Sequence, residues 1–292
     1  MIRKYAFIIG AMKSGTTTLF DYLNHHPDIV GVFPKEPAFF ADDDVYAKGG
    51  DWYHSLFQGE DIQDKIYLDG STDYTKYPHF PEAAKRISAL EGEVKLIYIM
   101  RHPLRRIESH ARHVQKARSE LSRIPSPRKD HGLDHGVSDV SLDISRYALQ
   151  IDQYRSFFDQ GRLFLTTLEQ LSSDPAGTSR DILTFLGLDP SLGPSIVKEQ
   201  NKAATHRYTK EMSPLWRAVR QNKWLHQMAV SMIPTKARRK VQQAARKKEE
   251  ITGRFNLTPA EEKDLLDQLA PDLRRLKTDY GFDAKQVWDL PI

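Results

Sequence analysis

The stretch "YAFIIGAMKSGTTTLF", Tyr5 to Phe20, restricts the fold of this chain more than any other. Tyr5 to Ile9 is an unbroken apolar run closed by Gly10, the pattern of a strand buried on both faces in a parallel sheet. After a short loop, Leu19, Phe20 and Leu23 fall on one helical face, until His26-Pro27 ends the helix. The unit is strand, glycine loop, helix. Gly10 and Gly15 have the spacing of the phosphate-binding pattern G-x-x-x-x-G-K-[ST]. Thr16, however, stands where that lysine belongs, and Lys13 lies inside the loop.

The rest of the chain extends this unit. Val94 to Met100, "VKLIYIM", reads as a second strong strand, Arg162 to Leu171 as a third and Ile66 to Leu68 as a shorter one. Pro103 suits the first turn of the helix that follows Met100. Helical patterns at Ser145 to Phe158 and Ser179 to Leu186 alternate with the strands, and Thr258 with Glu261 forms a capping-box start for a C-terminal helix. This alternation predicts an α/β, P-loop-like three-layer fold, with a central parallel sheet and helices on both faces, as a single domain over residues 1–292. Two segments depart from it. Lys116 to Ser141, rich in Pro, Gly and Ser, reads as a lid or substrate loop, or as a disordered insertion. Lys236 to Glu250 is strongly basic and without aromatics, and reads as a solvated amphipathic helix face more readily than as a nucleic-acid contact.

Composition narrows the function classes. The 292 residues are 39% hydrophobic, enough for a sizeable core, and 43 Lys and Arg against 39 Asp and Glu give a net charge of +4, a weak preference for anionic ligands. The absence of cysteine excludes disulfides, thiolate metal sites and a cysteine nucleophile, and fits a reducing cytoplasm. The start "MIRKYAFIIGAM" reads as a buried strand, since Lys13 interrupts the run and no small-residue cleavage site follows it. No segment approaches the roughly 20 apolar residues of a membrane span. The chain is expected to be a soluble, cytoplasmic protein.

A strand that turns through glycines into a helix aims backbone N–H groups and the positive helix end at one point, a site for phosphate or sulfate. Thr16, Thr17 and Thr18 add hydroxyls that either reach the anion or cap the helix. Lys13, in mid-loop, is placed beside a bridging oxygen, where it would neutralise a leaving group. A metal-dependent reading needs a carboxylate at a neighbouring strand end, for which Asp69 is the candidate. The stronger strand instead ends in a cation, Arg101.

The ordered segments "KSGTTTL", "KEPAFF", "GGDWYHSLF", "STDYTKYP", "IMRHPLRRIESH" and "TTLEQLSSDP" resemble the motif series of sulfotransferases that use 3′-phosphoadenosine 5′-phosphosulfate. The likeness is nearest the carbohydrate, heparan sulfate type O- and N-sulfotransferases and their bacterial relatives, and it spans most of the chain. The resemblance implies that Lys13, Ser14, Gly15, Thr16, Thr17 and Thr18 form the 5′-phosphosulfate loop, with Lys13 on the leaving-group side. It also implies that Arg101 and Ser109 grip the 3′-phosphate, a pairing that suits the bidentate guanidinium of a strand-end arginine. Arg105, Arg106 and Arg112 read as solvated. By resemblance Glu36 is the general base that removes the acceptor's proton. The alternative is a plain ion pair with Lys35, and His25, His26, His54, His79 and His102 are rival bases.

Two positions depart from the family pattern. Gly70, in "DGSTDY", occupies the position where heparan sulfate enzymes often carry a second lysine. The late nucleotide loop survives only loosely in "NKAATHRY", where Arg207 is carried over as a 3′-phosphate ligand and Asn201, Lys202 and His206 read equally well as ligands or as plain loop residues. The leading expectation is metal-independent, in-line transfer of a sulfuryl group to the hydroxyl or amine of an acceptor, with a carbohydrate favoured by the branch and by Trp52 as a stacking surface. The alternatives are a Mg-dependent P-loop kinase or nucleoside triphosphatase using Asp69 and Thr16, and a non-catalytic polyanion-binding protein using the basic segment.

Overall fold

Strand β1 (Lys4–Gly10) lies at the centre of a five-stranded sheet because its residues from Tyr5 onward are apolar on both faces and fully enclosed. The computed structural model describes residues 2–59, 62–121, 137–193, 208–212, 246–250 and 255–292. For 115–121, 208–212 and 246–250 it describes the backbone only. Helix α1 (Thr16–Leu23) follows the glycine loop, and then β2 (Ile29–Gly31), α2 (Asp43–Tyr46), α3 (Gly50–His54), β3 (Ile66–Asp69), a 3₁₀ turn at Thr72–Thr75 and α4 (Ala83–Ser88). Strand β4 (Glu93–Met100) leads into α5 (Pro103–Leu121). Then come α6 (Asp139–Ser145), α7 (Tyr147–Asp152), α8 (Arg155–Asp159), β5 (Leu163–Thr167), α9 (Leu168–Ser173) and α10 (Pro175–Leu186). Beyond β6 (Tyr208–Met212) and β7 (Arg246–Glu250), the described chain ends with α11 (Pro259–Tyr280) and α12 (Ala284–Trp288).

All pairings in the main sheet are parallel, in the order β2-β3-β1-β4-β5. Side chains alternate along each strand and so carry helices to both faces. On one face Phe164 of β5 meets Phe185 of α10, with ring centroids 5.4 Å apart, and Lys95 of β4 donates to the Phe185 carbonyl at 2.9 Å. On the other, Tyr98 of β4 faces Tyr147 of α7 at 6.1 Å. The expected α/β architecture is present. β1 is flanked by β3 on one side and β4 on the other, so the sheet order reverses beside it. The crevice outside the carboxyl ends of β1 and β4 is the switch point where such sheets bind ligands.

The chain divides into two compact units. One comprises Met1–Ala111, Asp130–Gln200 and Asn256–Ile292 and holds the five-stranded sheet; the other comprises Arg112–Lys129 and Asn201–Phe255 and holds the antiparallel pair β6 and β7.

Several elements differ from the sequence reading. The strand expected over Arg162 to Leu171 stops at Thr167, because Thr167 and Gln170 close a capping box: the Gln170 N–H donates to Thr167 Oγ1 and the Thr167 N–H to Gln170 Oε1, both at 3.1 Å. The single helix expected over Ser145 to Phe158 is divided. Asp272 of α11 accepts from the N–H groups of Ala148 and Leu149 at 3.0 and 2.9 Å, and so starts α7 as a separate element. β2, only three residues long, has no periodicity to betray it. Within the segment Lys116 to Ser141, the first residues continue α5 and the last begin α6, while 122–136 lie outside the described residues. Of the basic stretch expected as a helix face, 246–250 is a strand paired with 208–212, and 236–245 lie outside the described residues. The capping box at Thr258 is present as read, with both of its bonds formed.

Candidate active site

The loop between β1 and α1 opens onto the switch point. Its second glycine, Gly15, is the N-cap of α1 and sits at φ 89°, ψ 13°, a left-handed conformation that any side chain would strain. A Cβ there would also stand 2.6 Å from Leu168 Cδ1. The N-cap therefore offers no side chain to the helix, and the first-turn N–H groups face the loop with their partial positive charge. Thr16 is buried, Thr18 half-buried and Thr17 exposed. Ser14 is fully buried, and its Oγ has no hydrogen-bond partner among the described residues. An enclosed hydroxyl left in that state costs about 1–3 kcal/mol, which suits a group kept for a ligand.

Lys13 is half-exposed and also left-handed, at φ 72°. For a lysine this conformation costs about 1–2 kcal/mol. The Lys13 carbonyl accepts from Arg101 Nη1 at 3.1 Å, so the strand-end arginine after β4 braces the loop after β1. The two expected anion-binding elements are thus brought into direct contact. Burial pulls the Arg101 pKa below its ordinary value, with Glu169 and Tyr147 acting against that trend. Tyr147 donates to the Arg101 carbonyl at 2.6 Å. Glu169 accepts from the His102 N–H at 3.0 Å and from Trp288 Nε1 at 3.1 Å, which fixes the entrance to α5. Ser109 lies on α5 about two turns beyond Arg101 and is partly exposed.

Glu36 lies on the loop after β2, with φ 60° and its side chain 43% exposed. Lys35 Nζ is 2.5 Å from Glu36 Oε1, so the ion pair considered in the sequence is present, and it involves the residue expected as base. The same ammonium donates to the Gly70 carbonyl at 3.3 Å and stands 5.6 Å from the Phe20 ring centroid of α1. Gly70 has to be small: a Cβ on it would stand 2.9 Å from Phe20 and 3.3 Å from Lys35 Cε. The base candidate is thereby fixed beside the helix that the phosphate loop begins. Phe39 and Phe40, which follow it, are core residues that stack on Tyr53 at 4.6 Å and meet Phe7 of β1 at 5.5 Å.

Other expectations are corrected. Arg106, read as solvated, is fully buried: its Nε donates to Ser145 Oγ at 2.7 Å and its Nη2 to the Ser141 carbonyl. Burial lowers its pKa to about 10. Helical spacing from Arg105, which is exposed and paired with Glu108, places it on the inner face of α5. Asp69, the metal-ligand candidate, is fully buried, with both oxygens engaged by hydrogen-bond donors, so it is not free to ligate Mg²⁺ beside Thr16. Among the rival bases, His26 is buried with Nε2 3.0 Å from the Asp189 carbonyl, His54 meets the Tyr5 hydroxyl at 2.9 Å near the start of β1, and His79 meets Asp143 at 3.2 Å. His102 has an enclosed Nδ1, and burial lowers its pKa. Trp52 is half-buried, with Lys48 Nζ 4.3 Å above its ring. Arg207, Asn201, Lys202 and His206 lie outside the described residues. Tyr147 and Glu169 went unnoticed in the sequence because bracing residues of this kind carry no motif.

Comparison with known proteins decides the family. The sulfotransferase domain profile matches residues 3–256. The chain belongs to the sulfotransferase family. Among relatives of this sulfotransferase, mouse heparan sulfate glucosamine 3-O-sulfotransferase 3A1 is 33% identical over 189 residues, covering 63% of this chain and 45% of the relative. Human heparan sulfate glucosamine 3-O-sulfotransferase 6 is 33% identical over 192 residues, covering 63% and 52%. The sulfotransferase thus spans about half the length of these curated relatives. A solved sulfotransferase from Alicyclobacillus acidocaldarius shares the fold, with a TM-score of 0.61 at 20% identity, over 95% of this chain and 96% of its own. Among the described residues no helix is long and apolar enough to cross a membrane.

Proposed function

We propose that this sulfotransferase moves a sulfuryl group from 3′-phosphoadenosine 5′-phosphosulfate to a hydroxyl or amine of a carbohydrate acceptor by metal-independent in-line transfer. The contact of Arg101 Nη1 with the Lys13 carbonyl carries this reading, because it joins two cationic, anion-seeking elements at the switch point. In the proposed reaction the acceptor oxygen or nitrogen forms a bond to sulfur as the bond from sulfur to the bridging oxygen breaks. Glu36 takes the acceptor's proton, an effect worth roughly 10² to 10⁴-fold. Lys13 and the first-turn N–H groups of α1 neutralise charge arriving on the 5′-phosphate as it departs, which is electrostatic preorganisation. Ser14, Gly15, Thr16, Thr17 and Thr18 cradle that phosphate, and Arg101 with Ser109 holds the 3′-phosphate. The Lys35 ammonium, already bonded to Glu36, orients that carboxylate.

Two of the named relatives act on heparan sulfate glucosamine, which supports a sugar acceptor here. The absence of cysteine supports a cytoplasmic site of action. The test is to incubate the protein with labelled donor and a panel of glucosamine-containing oligosaccharides, monosaccharides and phenols, with chelator present. Labelled sugar is the expected product. Failure of calorimetry to detect binding of 3′-phosphoadenosine 5′-phosphate would refute the reading.

A further inference from the structure

Asp69 ends β3 without exposure to solvent, and among the described residues no arginine or lysine is one of its hydrogen-bond partners. Four donors surround it instead. Oδ1 accepts from the Ser71 N–H at 3.0 Å and from Ser71 Oγ at 2.7 Å, while Oδ2 accepts from the Tyr53 and Tyr74 hydroxyls at 3.1 and 2.7 Å. A hydroxyl has one proton to give. Because Ser71 gives that proton to Asp69, its oxygen is left as an acceptor, and the Ala38 N–H donates to it at 3.1 Å.

Ala38, at φ 55°, is the second left-handed residue of the loop that carries Glu36, itself at φ 60°, with Pro37 between them. Two such non-glycine residues cost about 1–2 kcal/mol each, so contacts from outside the loop must hold it in this shape. Two of them come from the tail of β3. Gly70 accepts from Lys35 ahead of Glu36, and Ser71 accepts from Ala38 behind it. Tyr53 and Tyr74, the other two donors to Asp69, also pack on Phe40, at 5.1 and 5.8 Å. One buried carboxylate therefore orients the hydroxyl that anchors the loop and the rings against which the loop's aromatic end is seated.

We propose that Asp69, acting through Ser71, is a positioning residue that sets the backbone and hence the carboxylate of Glu36 for proton removal; this rests on Glu36 being the base. It touches neither donor nor acceptor. Asparagine at 69 offers one acceptor oxygen and one donor amine, so it must face either the Ser71 pair or the tyrosines with the wrong group. Ser71→Ala removes the anchor with less disturbance and serves as the folding-safe variant.

The test is a double-mutant cycle on turnover of a glucosamine-containing oligosaccharide, with melting temperature and calorimetric binding of 3′-phosphoadenosine 5′-phosphate measured on each variant. Ser71→Ala and Asp69→Asn are each expected to lower kcat at least tenfold with nucleotide binding within twofold of wild type. In a Glu36→Gln background either change should cost less than a further twofold, because the residue being positioned is already disabled. Losses that multiply in full, or unchanged kcat in Ser71→Ala, would overturn the positioning role while leaving the base reading intact. Wild-type turnover in Glu36→Gln would remove the base itself, and this role with it.

Discussion

Gly15→Ala tests the claim that the loop is shaped for an anion and is not merely a connection. At φ 89° the new methyl incurs the left-handed cost of about 1–2 kcal/mol. It also meets Leu168 Cδ1 at 2.6 Å, so that side chain must leave its rotamer, at about 0.5–1.5 kcal/mol. The less flexible unfolded chain returns roughly 0.5 kcal/mol, leaving a net loss on the order of 2 kcal/mol. The N–H groups of Gly15 and Thr16 are displaced together, so nucleotide affinity should fall at least tenfold. Urea denaturation and calorimetry with 3′-phosphoadenosine 5′-phosphate read the two effects separately. Adding Leu168→Ala removes the clash but not the backbone cost, so the double variant should regain part of the stability lost to the glycine substitution and little of the affinity. Native stability and native affinity in Gly15→Ala would refute the assigned backbone geometry, and loss of stability with intact binding would refute the cradle.

Lys13→Ala should lower kcat by about 10² to 10³-fold, the scale for removing one preorganised charge-stabilising group, with nucleotide affinity changed far less; equal losses in both would contradict its leaving-group role. Arg101→Ala removes a charged contact worth about 1.5–3 kcal/mol and the brace on the Lys13 carbonyl, so nucleotide dissociation constants should rise about 10- to 100-fold in a titration. Asp272 predicts a pH dependence of stability. Burial raises its pKa from the ordinary 3.8 to about 6, outweighing the two N–H groups it accepts from. Between those values the folded state holds the extra proton, so this contribution is present at low pH and is lost as pH rises through about 6, by at most about 3 kcal/mol. Denaturation of wild type against Asp272→Ser at pH 4 to 7 should show the wild-type advantage shrinking as pH rises; a growing advantage would mean that the N–H bonds outweigh burial.

The parts of this molecule legible in the sequence are those where one residue type answers a local physical demand. β1 and β4 are continuous apolar runs, Gly15 stands where the backbone turns left-handed, and Thr258 with Glu261 announces a helix start. The contents of the loop were legible for the same reason, since Lys13 is conspicuous wherever it stands. What could not be read depends on chain segments far apart in sequence. Asp272 divides a helix that lies more than a hundred residues before it. Arg106 is inside because α6 brings Ser141 and Ser145 to it, although its neighbour Arg105 is exposed.

Asp69 shows why chemistry read from residue type alone goes astray at a strand end. A carboxylate beside a phosphate loop suggests a metal ligand, and only its surroundings decide otherwise. Tyr53 from α3, and Ser71 and Tyr74 from the turn that follows β3, converge on it and use its accepting capacity internally. The sulfotransferase loop and the kinase loop share a glycine turn into a helix, and they differ in where the cation stands and in what the next strand's carboxylate is doing. In this chain the cation lies inside the loop at Lys13, with its carbonyl held by Arg101, and the carboxylate is turned inward to hold the segment that carries Glu36. The glycine turn into a helix thus shares its sheet with a strand-end carboxylate already committed to internal donors, and that pairing sets this loop apart from one built for metal-assisted phosphoryl chemistry.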